Sequence, residues 1–239
     1  MNIQAVKAVM TPAELGIKMI SIAPSNFVFQ GVQGVRCNGF KLAETPFTNA
    51  HFLGLLKQHP DELKQVIANP EELLVKSMLV AAVSDEAVSS PLVFVNQTEA
   101  SGIAGLLGCR LPTELEWERA AAGLNCRVYP WGYEWDQKKA IFNDKGTRAV
   151  GLFPAGKSED GFCDLAGNVW ERTSSLYGEI GLSDPQNPVF PQEGIYVVLR
   201  GGSWHSCSIN FITSTYRGET VHPENRYPYW GFRLAGDLE

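Results

Sequence analysis

Apolar and polar positions change rhythm midway along the chain. Met19-Ile-Ser-Ile-Ala and Phe27-Val-Phe alternate and carry branched and aromatic residues, which predicts strands joined by a turn at Pro24-Ser-Asn. Thr48-Asn-Ala-His-Phe-Leu-Gly-Leu-Leu-Lys opens on a capping residue and repeats apolar positions at helical spacing. Glu71 to Val83 does the same less regularly after Asn69-Pro70, and helices are predicted over both stretches. Thr98 to Leu107 predicts another short helix, and Thr113-Glu-Leu-Glu-Trp-Glu-Arg-Ala-Ala-Ala a stronger one. Its start is marked by Thr113 after Pro112 and by Glu116 three residues on, the capping-box pattern in which each side chain takes up the other residue's free N–H.

From Gly123 onward this texture is lost. Gly, Pro, Asn, Asp, Trp and Tyr recur every few residues and helical periodicity nearly vanishes, so the second half reads as loop-rich. So long an irregular stretch is unusual in a compact domain unless it is functional or held by something other than regular backbone pairing, and bound cations are one candidate. No internal repeat or linker divides the chain, and 239 residues suffice for one large domain.

Composition narrows the function classes. With 44% hydrophobic and 19% charged residues the chain is an ordinary globular sequence, and a net charge of -6 argues against a phosphate-binding surface and so against nucleic acid. No run of 18 apolar residues occurs, and Met1 to Leu15 lacks the apolar core of a signal peptide, so no membrane partner and a cytoplasmic location are expected. The five cysteines, Cys37, Cys109, Cys126, Cys163 and Cys207, show no Cys-x-x-Cys spacing, and all but Cys207 read as buried or incidental thiols.

Four segments in order carry a family likeness: Arg110-Leu-Pro-Thr-Glu-Leu-Glu-Trp-Glu-Arg-Ala-Ala-Ala-Gly, Tyr129-Pro-Trp-Gly, Gly161-Phe-Cys-Asp-Leu-Ala-Gly-Asn-Val-Trp-Glu, and Arg200-Gly-Gly-Ser-Trp ending in Gly231-Phe-Arg-Leu-Ala. With Met19 to Phe27 and Gly39 to Asn49 they make the chain resemble the formylglycine-generating-enzyme/sulfatase-modifying domain family from about Ile17 to Ala235. The resemblance implies an α+β domain with an irregular, loop-rich C-type-lectin-like fold, spanning 17–239 after an N-terminal extension of 1–16. Calcium holds loops in many members, and Asn143 with Asp164, and Asn168 with Glu171, match positions that supply calcium oxygens. Calcium needs several hard oxygen ligands, which Asn, Asp and Glu provide. The alternative is that Asn168 turns the chain and Glu171 pairs with an arginine such as Arg200 or Arg233. Trp131, Trp170, Trp204 and Phe232 read as core aromatics, and Arg110 and Glu118 as scaffold charges.

Catalytic members of the family place two cysteines shortly after the Gly-Gly-Ser-aromatic motif, where they bind copper. Copper(I) is soft and prefers thiolates, so the pair is the chemical requirement. Here His205-Ser-Cys-Ser-Ile-Asn-Phe-Ile-Thr-Ser-Thr-Tyr-Arg follows Trp204 and holds Cys207 alone. A His205/Cys207 copper site is allowed by ligand type, and residues at i and i+2 on an extended strand would share a face. The iron-dependent branch uses histidines from an added helical domain, for which His51, His59, His205 and His222 offer no counterpart.

The C-terminal segment instead resembles that of the variable proteins of diversity-generating retroelements, which are rewritten at template adenines between Gly-Gly-Ser-Trp and Gly-Phe-Arg. Randomising the first two positions of an asparagine codon never yields Trp, Met, Gln, Lys or Glu, and none of these occurs from His205 to Arg217. Glu219, Glu224 and Trp230 must then be fixed positions. The expected function is a ligand-binding module displaying segment 204–230, with His205, Ser206, Cys207, Ile209, Asn210, Phe211, Tyr216, Tyr227, Tyr229 and Trp230 as contact residues. Tyrosine gives rigid amphipathic contact area, and Ser, Thr and Asn adaptable hydrogen bonds. The expected partner is a protein, with a sugar or small molecule as the alternative, and no cofactor is required. The competing expectations are a copper-dependent oxidase of cysteine-containing peptides, working through Cys207 and a second thiolate such as Cys163, and an inert structural loop.

Overall fold

A computed structural model describes residues 7–238. Five helices fill the first half: α1 Asn49–Gln58, α2 Pro60–Val66, α3 Pro70–Met78, α4 Gln97–Leu106 and α5 Glu114–Ala122. The capping box expected at Thr113 is formed, with Thr113 Oγ1 accepting the Glu116 N–H at 3.2 Å and Glu116 Oε2 accepting the Thr113 N–H at 2.8 Å. At α1 the reciprocal acceptor is His51, whose Nδ1 takes the Thr48 N–H at 3.1 Å. Burial pushes the His51 imidazole down to about 4, so it caps as a neutral acceptor. The unforeseen helix α2 begins at Pro60 with Asp61 and Glu62 in its first turn, which suits the positive end of a helix dipole.

The strands form three small antiparallel or mixed sheets. β1 Met19–Ile22 and β2 Ser25–Phe29 flank the expected turn at Pro24 but enter different sheets. β2 pairs with β3 Val32–Cys37, while β1 pairs with β4 Phe40–Ala43, which the C-terminal strand β9 Ala235–Asp237 flanks on its other side. The loop-rich half contributes a four-stranded sheet ordered β7-β6-β5-β8, from β5 Trp170–Leu176, β6 Val197–Arg200, β7 Gly218–Val221 and β8 Trp230–Phe232. β8 runs parallel to β5, so the end of the chain returns to the sheet beside its first strand.

One apolar cluster gathers α1 to α4 around Phe52, Leu55, Leu63 and Ile103 and takes in Phe232 and Leu234. A second centres on Trp117 of α5 against Phe27, Phe29 and Phe40. The segment expected as an extension packs on the first cluster, since Met10 is buried and the Val9 N–H donates to Leu106 O at 2.8 Å. Met1–Val6 lie outside the described residues. Among the described residues no helix is long and apolar enough to cross a membrane.

The irregular half is tied down by cations, and they are guanidinium groups. Arg172, Arg200 and Arg233 are each fully buried. Arg233 donates to Ala43 O (3.0 Å) and Cys163 O (2.9 Å), and Arg172 to Val95 O (3.1 Å) and Asn225 O (2.6 Å). Arg233 and Arg172 thus satisfy the carbonyls of Cys163, Val95 and Asn225, which lie outside the strands, as buried irregular backbone requires.

Candidate ligand-binding surface at the C-terminal segment

β6 ends at Arg200, and the chain reverses through Gly201 and Gly202 at φ of 95° and 70°. A Cβ on Gly202 would stand 2.3 Å from Ile212 Cγ2, so only glycine lets residues 204–217 fold back over the sheet. That stretch contains one short 3-10 turn, Ile209–Ile212, and re-enters the sheet as β7.

The scaffold holds this segment largely by its main chain. Arg200 Nη2 donates to Ser214 O at 2.9 Å, and Gln30 Nε2 to Thr215 O at 2.7 Å. The Ser214 N–H donates to Val128 O at 2.8 Å, and the Trp204 N–H to Asn168 O at 2.9 Å. Further on, the N–H groups of Gln97, Phe94 and Trp170 donate to Pro223 O, Tyr227 O and Tyr229 O at 2.9, 3.2 and 2.9 Å. Arg200 is itself locked by Glu118 at 2.5 Å, with both side chains fully buried. Glu118 also accepts the Gln30 N–H at 2.9 Å. Burial pushes the Glu118 carboxyl upward, and Arg200 acts in the opposite sense.

Side-chain anchors occur at a few positions. Glu114 receives Arg217 through two bonds of 2.7 and 2.9 Å, Glu224 accepts from Asn96 Nδ2 at 3.0 Å, and Arg226 grips Glu99. Glu224 therefore has a scaffold contact, while the Glu219 side chain lies outside the described residues.

Of the ten expected contact residues, His205, Cys207, Ile209, Asn210 and Tyr227 are exposed, and Phe211, Tyr216 and Tyr229 are half-buried. Two are corrected. Trp230 is 2% exposed, pairs with Trp170 across β5 and β8 and lies under the Arg172 guanidinium, so it belongs to the core. Ser206 is 6% exposed, its hydroxyl accepting the Ser203 N–H at 3.0 Å. Position within the segment does not reveal which side of a turn faces inward.

The segment encloses a cavity of about 330 Å³ lined by Trp170, Ser203, His205, Ser206, Cys207, Phe211, Tyr216 and Tyr229. The His205 and Tyr229 rings stack at 5.2 Å and 20°, and the Phe211 and Tyr216 rings meet at 5.2 Å and 60°. Trp170 and Ser203, both outside the expected set, complete the wall. A larger groove of about 730 Å³ opens elsewhere, between β3, the start of α5 and residues 186–192. Several of its amides already bond their own surroundings, Gln186 to Gly34 O, Asn187 to Asp184 and Gln192 to Phe190 O.

The copper donor set does not fit. Cys207 is exposed and stands without a second cysteine in the cavity wall. Cys163 is buried beside Gly151, its N–H bonded to Glu44 O and its carbonyl to Arg233, and burial pushes its thiol upward.

The calcium candidates separate in the same way. Glu171 accepts Arg233 through both oxygens at 2.6 Å and Trp117 Nε1–H at 2.8 Å. Asn168 Oδ1 accepts the Arg148 N–H at 3.2 Å while its Nδ2 donates to Arg148 O at 3.1 Å. These two follow the alternative reading, a turn residue at φ 61° and an ion-paired carboxylate, and do not fit a calcium site. Asn143 is exposed, and Asp164 accepts the Gly151 N–H at 2.7 Å, its carboxyl pushed up to about 6 by burial. Among the described residues, no group of three or more His, Cys, Asp and Glu side chains gathers closely enough to hold a metal ion.

Comparison with known proteins gives the fold and the family. The chain is 31% identical over 222 residues to the serine/threonine-protein kinase pkn1 of Chlamydia pneumoniae, a match covering 85% of this chain and 36% of the kinase. It is 35% identical over 173 residues to the hercynine oxygenase of Mycolicibacterium thermoresistibile, covering 66% of this chain and 38% of the oxygenase. The chain thus spans little more than a third of the length of either relative. In fold it matches Treponema denticola variable protein 1 with a TM-score of 0.69 at 20% identity, over 93% of this chain and 95% of that one, as expected for a C-type-lectin-like domain. The sulfatase-modifying factor enzyme 1-like domain model matches residues 7–238, and the chain belongs to that family.

Proposed function

We propose that this chain is a non-enzymatic binding module, a variable protein of the retroelement-diversified kind, whose C-terminal segment contacts a protein partner. The observation that carries the reading is the way residues 204–229 are held. Scaffold groups from Gln30, Val128, Asn168, Arg172 and Arg200 grip main-chain atoms, so the outward side chains are not needed to shape the segment. Such a surface changes its specificity without changing its backbone, and its exposed His, Cys, Ile, Asn and Tyr side chains form a mixed contact set of the paratope type. Likeness of fold to a protein described as variable supports the same reading.

An oxidase acting on cysteine peptides would need a second thiolate at Cys207, and none lines its cavity. No catalytic step is assigned to the chain, and the binding role requires no bound metal.

The test is the DNA flanking the gene. The reading expects a near-copy of the stretch encoding Arg200 to Ala235, differing almost wholly at adenines, beside a reverse-transcriptase gene. Flanking DNA without such a copy, together with turnover of a cysteine peptide that Cys207→Ser abolishes, would replace it with the oxidase.

A further inference from the structure

We infer that the aromatic cavity of this surface is a socket for one cationic side chain, a lysine ammonium or an arginine guanidinium, of the protein partner. The inference rests on the binding-surface reading above and adds the chemistry of what enters.

Five of the eight lining residues carry aromatic rings: Trp170, His205, Phe211, Tyr216 and Tyr229. They form two walls. Trp170, Tyr216 and Phe211 make one, with centroids 6.0 and 5.2 Å apart and planes inclined at 47° and 60°, and the stacked His205 and Tyr229 make the other. Rings so inclined present faces and edges from several directions, and the face of an aromatic ring is its negative side.

The other three lining residues are Ser203, Ser206 and Cys207, so no Lys, Arg, Asp or Glu lines the cavity. The two hydroxyl oxygens already accept main-chain N–H groups, Ser203 Oγ from His205 at 3.2 Å and Ser206 Oγ from Ser203 at 3.0 Å. An anion would meet aromatic rings and at most two hydroxyl donors, with no Lys or Arg to neutralise it. A cation enters among five aromatic rings, in a chain whose 26 acidic residues outnumber 20 basic ones. The volume, about 330 Å³, admits one long side chain.

The same sheet already houses a guanidinium in this way. Arg172 is fully buried, bonded to carbonyl oxygens of Val95 and Asn225, and its Cζ lies 5.3 Å from the centroid of the Trp230 ring. Trp230 stands opposite Trp170, which lines the socket. Arg217 lies over Tyr177 at 4.9 Å and Arg200 over Trp117 at 5.3 Å. Pairing cations with aromatic rings recurs through this half of the domain.

The test titrates the intact chain with N-acetyl-lysine methylamide, N-acetyl-arginine methylamide and the neutral N-acetyl-norleucine methylamide, following tryptophan fluorescence and heat. Binding of one or both cations about tenfold tighter than norleucine is expected, and the tighter of the two identifies the partner side chain. Phe211→Leu, which keeps an apolar wall but removes a ring, should cut that preference to about threefold or less at unchanged melting temperature. Tyr229→Leu serves instead where Phe211→Leu unfolds. Equal binding of norleucine and the cations would overturn the inference in favour of an apolar anchor, and absence of binding by all three would overturn it as well. A diversified copy in the flanking DNA alongside either negative result would sink the socket and leave the binding surface standing.

Discussion

Arg200 reaches Ser214 through the Ser214 carbonyl oxygen, 2.9 Å from Nη2, and the Ser214 hydroxyl takes no part in the contact. The two residues should therefore respond oppositely to substitution. Ser214→Ala removes a buried hydroxyl that lacks a partner and should leave urea-unfolding stability within about 1 kcal/mol of the parent. Arg200→Met leaves Glu118 buried without its cation and should cost about 3–5 kcal/mol or prevent folding. Equal losses in the two variants would mean that the serine side chain, not the backbone, is what the scaffold reads.

Cysteine labelling separates exposed from structural thiols. Cys207 should react with a maleimide well before the others in the native protein, because it is the exposed cysteine. Cys37 should react last, since burial pushes its thiol up to about 12. Joint protection of Cys207 and Cys163, lost together on adding a copper chelator, would restore the oxidase reading.

Acid should loosen the loop that carries Asn143 and Arg148. The Arg148 guanidinium, 2.7 Å from Glu86, and the Ala149 N–H hold the Glu86 carboxyl down to about 2. A carboxyl lowered on folding contributes stability that is fully present above its ordinary value near 4.5 and is lost as pH falls toward 2. Urea unfolding of the parent and of Glu86→Gln should differ by a constant amount above pH 5 or so, and the difference should shrink to zero near pH 2. A difference independent of pH would show that the pair contributes only through packing.

Calcium should change little. With Asn168 and Glu171 committed to Arg148, Trp117 and Arg233, millimolar calcium or a chelator is expected to move the melting temperature by less than about 1 °C. A rise of several degrees would place a calcium site on the remaining candidates, Asp164 and Asn143.

The first half of the chain was legible because its signals are local. Thr48, Thr113 and the apolar spacing behind them mark helix starts within four or five residues, and α2 could have been found from Pro60-Asp61-Glu62 alone. The second half was legible only through motifs, since its order is set by distant partners. Arg233 joins Ala43, Cys163 and Glu171, and β8 joins β5 in parallel, contacts that leave no periodic trace. The same limit explains the candidate site. Segment 204–230 was found from its composition and flanking glycines, but the inward turn of Trp230 and Ser206, and the contribution of Trp170 to the cavity, depend on how the loop folds back over the sheet.

On this reading a division of labour governs the segment: scaffold-to-backbone contacts and the anchors Arg217, Glu224 and Arg226 fix its path, and the exposed contact side chains do not. It is tested most directly by randomising His205, Cys207, Ile209, Asn210 and Tyr227 together and measuring thermal unfolding of several dozen variants. Most variants should unfold cooperatively with melting temperatures within about 10 °C of the parent, since five exposed substitutions at about 0.5 kcal/mol or less each sum to about 2.5 kcal/mol at most. Loss of cooperative unfolding in most variants would contradict it and make those side chains part of the fold.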